Sequence, residues 1–163
     1  MSGARERFVI AVDRCSPDLL RYFSRRGGPD AADLVSETVA IAWRQHRRLP
    51  PDSTEARMWL FGIARNVLRN AQRTEVRRLE VADRLRSAVE LELRSLPPDT
   101  RDDVRIALEH LDPELSELVT LIHWDGFTLV EAAQLQGIPA STARGRYQRA
   151  KSVLRELLTA SPC

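Results

Sequence analysis

The sequence predicts an all-α protein built of two small helical domains, and three observations carry that expectation. Apolar residues recur at three- and four-residue intervals along most of the chain, few stretches alternate as strands do, and the 163 residues include only seven glycines. A hydrophobic content of 43% suffices for one compact core or two small ones.

Charge and cysteine usage narrow the function. The net charge of +2 does not by itself signal nucleic acid, so the placement of the basic residues has to carry that argument. Lys151 is the only lysine and every other cation is Arg, a bias that fits a GC-rich genome. Cys15 and Cys163 lie near opposite ends and form no disulfide framework; with His46, His110 and His123 they show no zinc-ligand spacing, so no metal or cofactor is expected. The histidines lack nucleophile partners and no Gly-rich phosphate loop occurs, which argues against an enzyme. With no apolar run of membrane-spanning length and no signal-peptide pattern, a soluble, cytoplasmic protein with no membrane contact is expected.

From Ala4 to Arg26, Phe8, Val9, Val12, Leu19, Leu20 and Phe23 predict a helix, broken or bent near Ser16-Pro17 because an interior Pro removes a backbone donor; Gly27-Gly28-Pro29 closes it. The next helix, from about Asp30 to Gln45, sets Leu34, Val35, Thr38, Ile41 and Ala42 on one face and projects Asp33 and Glu37, four apart, together from another. Gln45 to Thr54 reads as a loop in which Pro50-Pro51 bar helix and Asp52 or Ser53 caps the helix after it. That helix, from about Glu55 towards Arg73, buries Trp59, Leu60, Ile63, Ala64, Val67 and Leu68. Its other side carries Gly62, Arg65, Asn66, Arg69, Asn70 and Arg73 at helical spacing, continued by Arg77 and Arg78. Arginines interleaved with amides suit phosphate and base contacts better than a plain solvated face, which would alternate in sign. Trp43 and Trp59, on apolar faces, are expected in the core.

From Glu80 to Asp103 acids outnumber arginines and Pro97-Pro98 interrupt any helix, so this stretch reads as a linker, partly helical up to Leu96. The boundaries expected are therefore 1–78, a linker at 79–103, and 104–163. In the second domain Asp112-Pro113 reads as an N-cap followed by Pro in the first turn; Leu115, Leu118, Val119 and Ile122 form a stripe, and Trp124-Asp125-Gly126 a turn in which Trp124 packs. Thr128 and Glu131 have capping-box spacing for a short helix that Gly137 ends, and Pro139 opens the next. That last helix is two-faced: Ala143, Tyr147, Ala150, Leu154 and Leu157 on one side; Ser141, Arg144, Gly145, Gln148, Arg149 and Ser152 on the other. Arg144, Arg146, Arg149, Lys151 and Arg155 form a basic run with no acid between Pro139 and Glu156. The pattern is a helix-turn-helix whose second helix fits a major groove.

The chain resembles the extracytoplasmic-function (group IV) sigma factors of bacterial RNA polymerase. Asp33-Leu34-Val35-Ser36-Glu37-Thr38 with Trp43, then Trp59-Leu60-Phe61-Gly62-Ile63-Ala64-Arg65-Asn66, is similar to that family's region two. Leu111-Asp112-Pro113-Glu114, Trp124-Asp125-Gly126-Phe127-Thr128, Glu131-Ala132-Ala133 and Ser141-Thr142-Ala143-Arg144-Gly145-Arg146 are similar to region four.

The resemblance implies a fold of two helical modules and a role in promoter-specific initiation. It implies as partners promoter DNA and core polymerase, through the clamp coiled coil of the largest subunit and the flap, and in many members an anti-sigma factor. Asp33, Leu34 and Glu37 match the family's polymerase-docking surface. The loop of Leu49 to Met58, with Asp52, Ser53 and Thr54, and the face of Arg65, Asn66, Arg69, Asn70 and Arg73 match its reader of the downstream (−10) element, where a non-template base is flipped out. Ser141, Thr142, Arg144, Gly145, Gln148 and Arg149 match the reader of the upstream (−35) element. Where the family commonly has Val and Ser, this chain has Ala143 and Gly145, and Pro50-Pro51-Asp52-Ser53 departs from its usual aromatic, glycine-containing loop. The alternative function is a helix-turn-helix regulator acting without polymerase, which would bind a palindromic operator tightly by itself.

Overall fold

The computed structural model describes residues 2–26, 30–86 and 100–160, with side chains described outside Ser2, 80–86 and 100–102. All regular structure among them is helical. The order is α1 (Ser2–Arg25), α2 (Ala31–Arg44), a 3-10 turn (His46–Arg48), α3 (Ser53–Arg86), α4 (Thr100–Glu109), α5 (Pro113–His123), α6 (Leu129–Gln136) and α7 (Ala140–Ala160). They fall into two compact units, α1–α3 and α4–α7, divided between Ala88 and Val89. Gly27-Gly28-Pro29, Pro97-Pro98, Cys163 and the linker beyond Arg86 lie outside the described residues.

In the first unit α1, α2 and α3 pack mutually. Leu19, Tyr22, Phe23, Leu60, Phe61, Ala64 and Val67 are almost fully buried there. Tyr22 meets Phe23 and Phe61 edge-on, with ring centroids 5.3 and 5.4 Å apart, an arrangement that adds to the area term. The core explains one departure from expectation. Helix α1 is not broken at Ser16-Pro17 but runs through it. An interior Pro costs a helix about 3 kcal/mol. Here Pro17 faces solvent and the Ser16 hydroxyl donates to the Val12 carbonyl at 2.6 Å. Burial of Phe8, Cys15, Leu19, Tyr22 and Phe23, on both sides of it, outweighs the lost bond.

Helix α2 is capped by Asp30, whose carboxylate accepts from the Ala32 amide at 3.0 Å, and buries Leu34, Thr38 and Ala42. The Thr38 hydroxyl donates to the Leu34 carbonyl at 2.7 Å, which satisfies a polar group with no exposed surface. The expected loop of Gln45 to Thr54 is shorter, because the 3-10 turn occupies its start and α3 begins at Ser53. Asp52 is the cap, its Oδ1 accepting from the amides of Thr54 and Glu55 at 2.9 Å each. Two of the three tryptophans depart from the core role expected of them. Trp43 is 43% exposed and Trp124 42%, while Trp59 is half-buried. Trp43 ends α2, where its ring stacks on His46 (4.7 Å) and meets Phe8 edge-on (5.3 Å), leaving one face in water.

The second unit packs α4, α5 and α6 against α7. Leu111, Leu115, Val119 and Ala150 form its centre, with Leu108, Tyr147, Val153 and Leu154 against them. Helix α4 starts at Thr100, ahead of the expected Val104. Asp112 stands at the N-cap of α5 but makes no side-chain cap hydrogen bond. The α6 capping box is complete: the Thr128 hydroxyl accepts from the Glu131 amide at 3.2 Å, and Glu131 Oε2 accepts from the Thr128 amide at 2.9 Å. Gly137 ends α6 at φ 68°, the left-handed conformation that glycine adopts without strain. Pro139 immediately precedes α7, and its carbonyl accepts from the Ala143 amide at 3.0 Å.

Candidate nucleic-acid interfaces

Helix α7 divides as its sequence period requires. Ala143 and Ala150 have no exposed surface, and Tyr147, Leu154 and Leu157 are half-buried. Ser141, Thr142, Arg144, Gly145, Gln148 and Arg149 are all exposed, so the six residues expected to read the upstream element share one solvent-facing stripe. A Cβ added at Gly145 would meet only open space, so the backbone there can approach a ligand closely.

The basic run of α7 is not one surface. Arg146 turns back onto α5, where its Nη1 lies 2.8 Å from Glu114 Oε2. Lys151 sits 5.0 Å above the Tyr147 ring, whose hydroxyl lies 2.8 Å from His123 Nε2. Arg144 and Arg149 have no ion-pair partner among the described residues and remain available to DNA phosphates or base edges.

On α3, Asn66, Arg69, Asn70 and Arg73 are exposed in one line and Arg65 is half-buried. A groove of about 440 Å³ is lined by Arg69, Gln72, Arg73, Val76 and Arg77, so the stripe continues to Arg77 as expected, while α3 itself runs past the end expected near Arg73 to Arg86. Ser53 and Thr54, expected on a loop, are instead the exposed first residues of α3, and Asp52 spends one carboxylate oxygen on capping it. Asn66 lies thirteen residues beyond Ser53 on the same helix. At 1.5 Å per residue that is about 20 Å, so Asn66 and the Asp52 turn cannot hold the same base.

On α2 the expected docking triplet separates. Asp33 and Glu37 are exposed, but Leu34 is only 4% exposed. Leu34 shares the i, i+4, i+8 line of Thr38 and Ala42 that packs into the unit, so it cannot meet a partner, whereas Asp33 and Glu37 lie on a neighbouring line that faces water. Sequence reasoning missed that Trp43 emerges near the end of this exposed side, after Ala40. The signal lay in its position at the last turn of the helix, where little chain is left to cover it.

Desolvation by burial pushes the Cys15 thiol up, against the opposing charge of Arg57. No helix among the described residues is long and apolar enough to cross a membrane.

Comparison with known proteins agrees with both units. Residues 11–78 match the Sigma-70 region 2 family and residues 101–154 the Sigma-70 region 4 family. The chain is 34% identical over 146 residues to the ECF RNA polymerase sigma factor EcfG of Rhodopseudomonas palustris, covering 85% of this chain and 78% of that one. It is 28% identical over 150 residues to the ECF RNA polymerase sigma factor SigL of Mycobacterium tuberculosis, covering 84% and 80%. Among solved structures it is similar to CnrH in complex with the cytosolic domain of CnrY (TM-score 0.67, 28% identity, 99% of this chain and 93% of that one). It is also similar to the sigma factor RpoE in complex with the anti-sigma factor NepR from Bartonella quintana (TM-score 0.66, 26% identity, 99% and 100%).

Proposed function

Because this chain belongs to the ECF sigma factors and directs promoter-specific transcription with RNA polymerase, we propose which of its surfaces does each part of that work. The solvent stripe of α7, with Arg144 and Arg149 as its free cations, reads the upstream element. Arg can give two parallel hydrogen bonds to a guanine edge or neutralise a phosphate, and Ser141, Thr142 and Gln148 add neutral donors and acceptors around it. Gly145 lets the groove floor come close.

In the first unit, Asp33 and Glu37 dock on a basic partner surface of the core polymerase. The Asp52–Thr54 turn and the α3 face of Arg65, Asn66, Arg69, Asn70 and Arg73 engage the downstream element at separate places, about 20 Å apart. Asn66 acts at the melting fork, and the arginines track the backbone of the opened strand. The α1–α3 and α4–α7 units then work as two modules joined by the stretch between Arg86 and Thr100, the part of the expected 79–103 linker outside the described helices, which the family threads towards the polymerase active centre. We place the protein in the cytoplasm, where the polymerase is. An anti-sigma factor is a further expected partner, because both structural relatives are complexes and one of those partners is an anti-sigma factor.

The observation that carries this reading is the pair of exposed arginine faces, Arg144 and Arg149 in one unit and Arg69 and Arg73 in the other, with no ion-pair partner for these four among the described residues. A regulator that acts alone needs one reading head per protomer; two faces on separate units suit two promoter elements held at fixed spacing by polymerase. The test is transcription by core polymerase across the source genome with and without the protein. New starts sharing two spaced elements support the assignment, and starts that do not depend on the protein refute it.

A further inference from the structure

Away from the two arginine stripes and the acidic side of α2, helix α1 and the turn before α3 enclose a cleft of about 160 Å³. Its floor is Cys15, Leu49 and Ala56, which are 6%, 7% and 5% exposed, and its apolar walls are Ile10, Pro50 and Pro51. Arg7 and Arg14 line it from the exposed side of α1, and neither has an ion-pair partner among the described residues. The buried Cys15 thiol is free and has no hydrogen-bond partner among them either.

We infer that this cleft is a binding site for a small aromatic carboxylate, with the ring against the apolar walls and the carboxylate held at the mouth by Arg7 and Arg14. Size selects the body of the ligand. A cavity of about 150 Å³ lined by apolar side chains takes up benzene, so this cleft matches one ring and excludes a nucleotide. Lining chemistry selects its polarity: beyond the arginines, Ser53 and the Cys15 thiol are the side chains with a polar atom, so a sugar-like body would lose its water without replacement. A thiol is a weak donor but a polarisable neighbour for a ring. Charge selects the head group. A guanidinium offers only donors, in a planar fork that matches the two oxygens of a carboxylate. Arg7 and Arg14 are two helical turns apart, about 10 Å, on one side of α1, so both long side chains can close on one anion between them. The start of α3 adds little to this pull, because Asp52 Oδ1 already takes the Thr54 and Glu55 amides.

A ligand held here lies against the turn of Pro50 to Ser53. Promoter choice should therefore respond to its concentration, a consequence that rests on the reading of the Asp52 turn as a downstream-element contact, whereas the binding itself does not.

The test is a titration of the full chain, as a Cys163→Ser protein, with benzoate, the smallest member of the class, followed by nitrogen-15 NMR. Benzoate should shift the amides of Ile10, Ala11 and Ser53 saturably, with a Kd on the order of 1 mM or tighter, and should protect Cys15 from N-ethylmaleimide over the same concentrations. Benzamide keeps the ring without the charge, and acetate and inorganic phosphate keep charge without the ring; each should bind about tenfold more weakly or worse. Arg7→Gln/Arg14→Gln should weaken benzoate by a similar factor. Ala11→Phe, which fills the cleft and leaves both arginines, should abolish the shifts, with melting temperature as the check that each variant folds. Benzoate that does not saturate, or that binds no better than benzamide or acetate, overturns the inference, as does unchanged affinity in either folded variant. In reconstituted holoenzyme, saturating benzoate should alter the preference among downstream elements for wild type and not for Arg7→Gln/Arg14→Gln. Saturable binding that leaves this preference untouched would uphold the site and refute the turn as a downstream contact.

Discussion

Removal of Arg144, Arg146 and Arg149 one at a time separates a recognition residue from a structural one within the same helix. All three lie in the basic run of α7, yet among the described residues only Arg146 has an ion-pair partner, Glu114 of α5 at 2.8 Å. The side chains of that pair are 32% and 70% exposed, so solvent screening holds its worth to roughly 0.5 kcal/mol. Arg146→Ala should therefore leave stability within about 1 kcal/mol of wild type and transcription nearly unchanged. Arg144→Ala and Arg149→Ala remove no ion pair among the described residues, so the fold should be indifferent to them. If each contacts a base edge, its loss costs about 1–3 kcal/mol of discrimination. At 1.36 kcal/mol per decade that is about 5- to 150-fold in initiation from promoters that depend on the upstream element. The assay is multi-round transcription by reconstituted holoenzyme on a matched promoter pair, one with an intact and one with a scrambled upstream element. The two variants should lose activity on the first and little on the second. Arg146→Ala as damaging as Arg149→Ala, or losses equal on both promoters, would refute the division of the helix into a reading face and a packing face.

Charge reversal of Asp33 together with Glu37 should weaken assembly with core polymerase, read by gel filtration, while the melting temperature holds; a collapse in melting temperature would show both carboxylates to be structural. Leu34→Ala should do the reverse, costing roughly 2–5 kcal/mol of stability in chemical denaturation as a buried leucine does. Asn66→Ala should slow promoter opening, followed by permanganate reactivity, more than it weakens the closed complex; equal effects on both steps would remove Asn66 from the fork. Cys15, in a Cys163→Ser background, should react slowly with iodoacetamide at neutral pH and rapidly once the protein is denatured. Its folded pKa lies above the ordinary value of 9.0 because of burial. Its contribution to stability is thus full below pH 9 and falls as pH rises through the folded pKa, so Cys15→Ala should lessen the alkaline loss of stability. An unchanged alkaline limb would show the thiol to be uninvolved.

Local rules made much of this legible without coordinates. The Thr128–Glu131 capping box, the left-handed Gly137 and the two faces of α7 all follow from interactions within one helical turn, which the sequence specifies directly. Failures came where distant packing decided the outcome. Pro17 should break a helix, and it does not, because side chains from α2 and α3 cover the residues around it. Leu34 sits beside Asp33 in every reading of the motif, but only its step from Thr38 and Ala42 tells which way it faces. Trp43 carries an apolar side chain, yet the end of α2 leaves it half uncovered. Asn66 is near the Asp52 turn by count of residues and far from it by length of helix.

Promoter affinity measured with and without core polymerase bears most directly on the central claim, that two weak reading faces become specific only when polymerase holds them. Each reading face offers few exposed cations, Arg144 and Arg149 on α7 and Arg69 and Arg73 on α3, so at physiological salt the protein alone should bind a promoter duplex in the non-specific range, on the order of 10⁻⁶ M or weaker. Addition of core should bring a specific affinity of about 10⁻⁸ M or tighter, lost when either promoter element is scrambled. A nanomolar, sequence-specific complex formed by the protein alone, unchanged by core, would contradict the claim and favour a regulator that acts without polymerase.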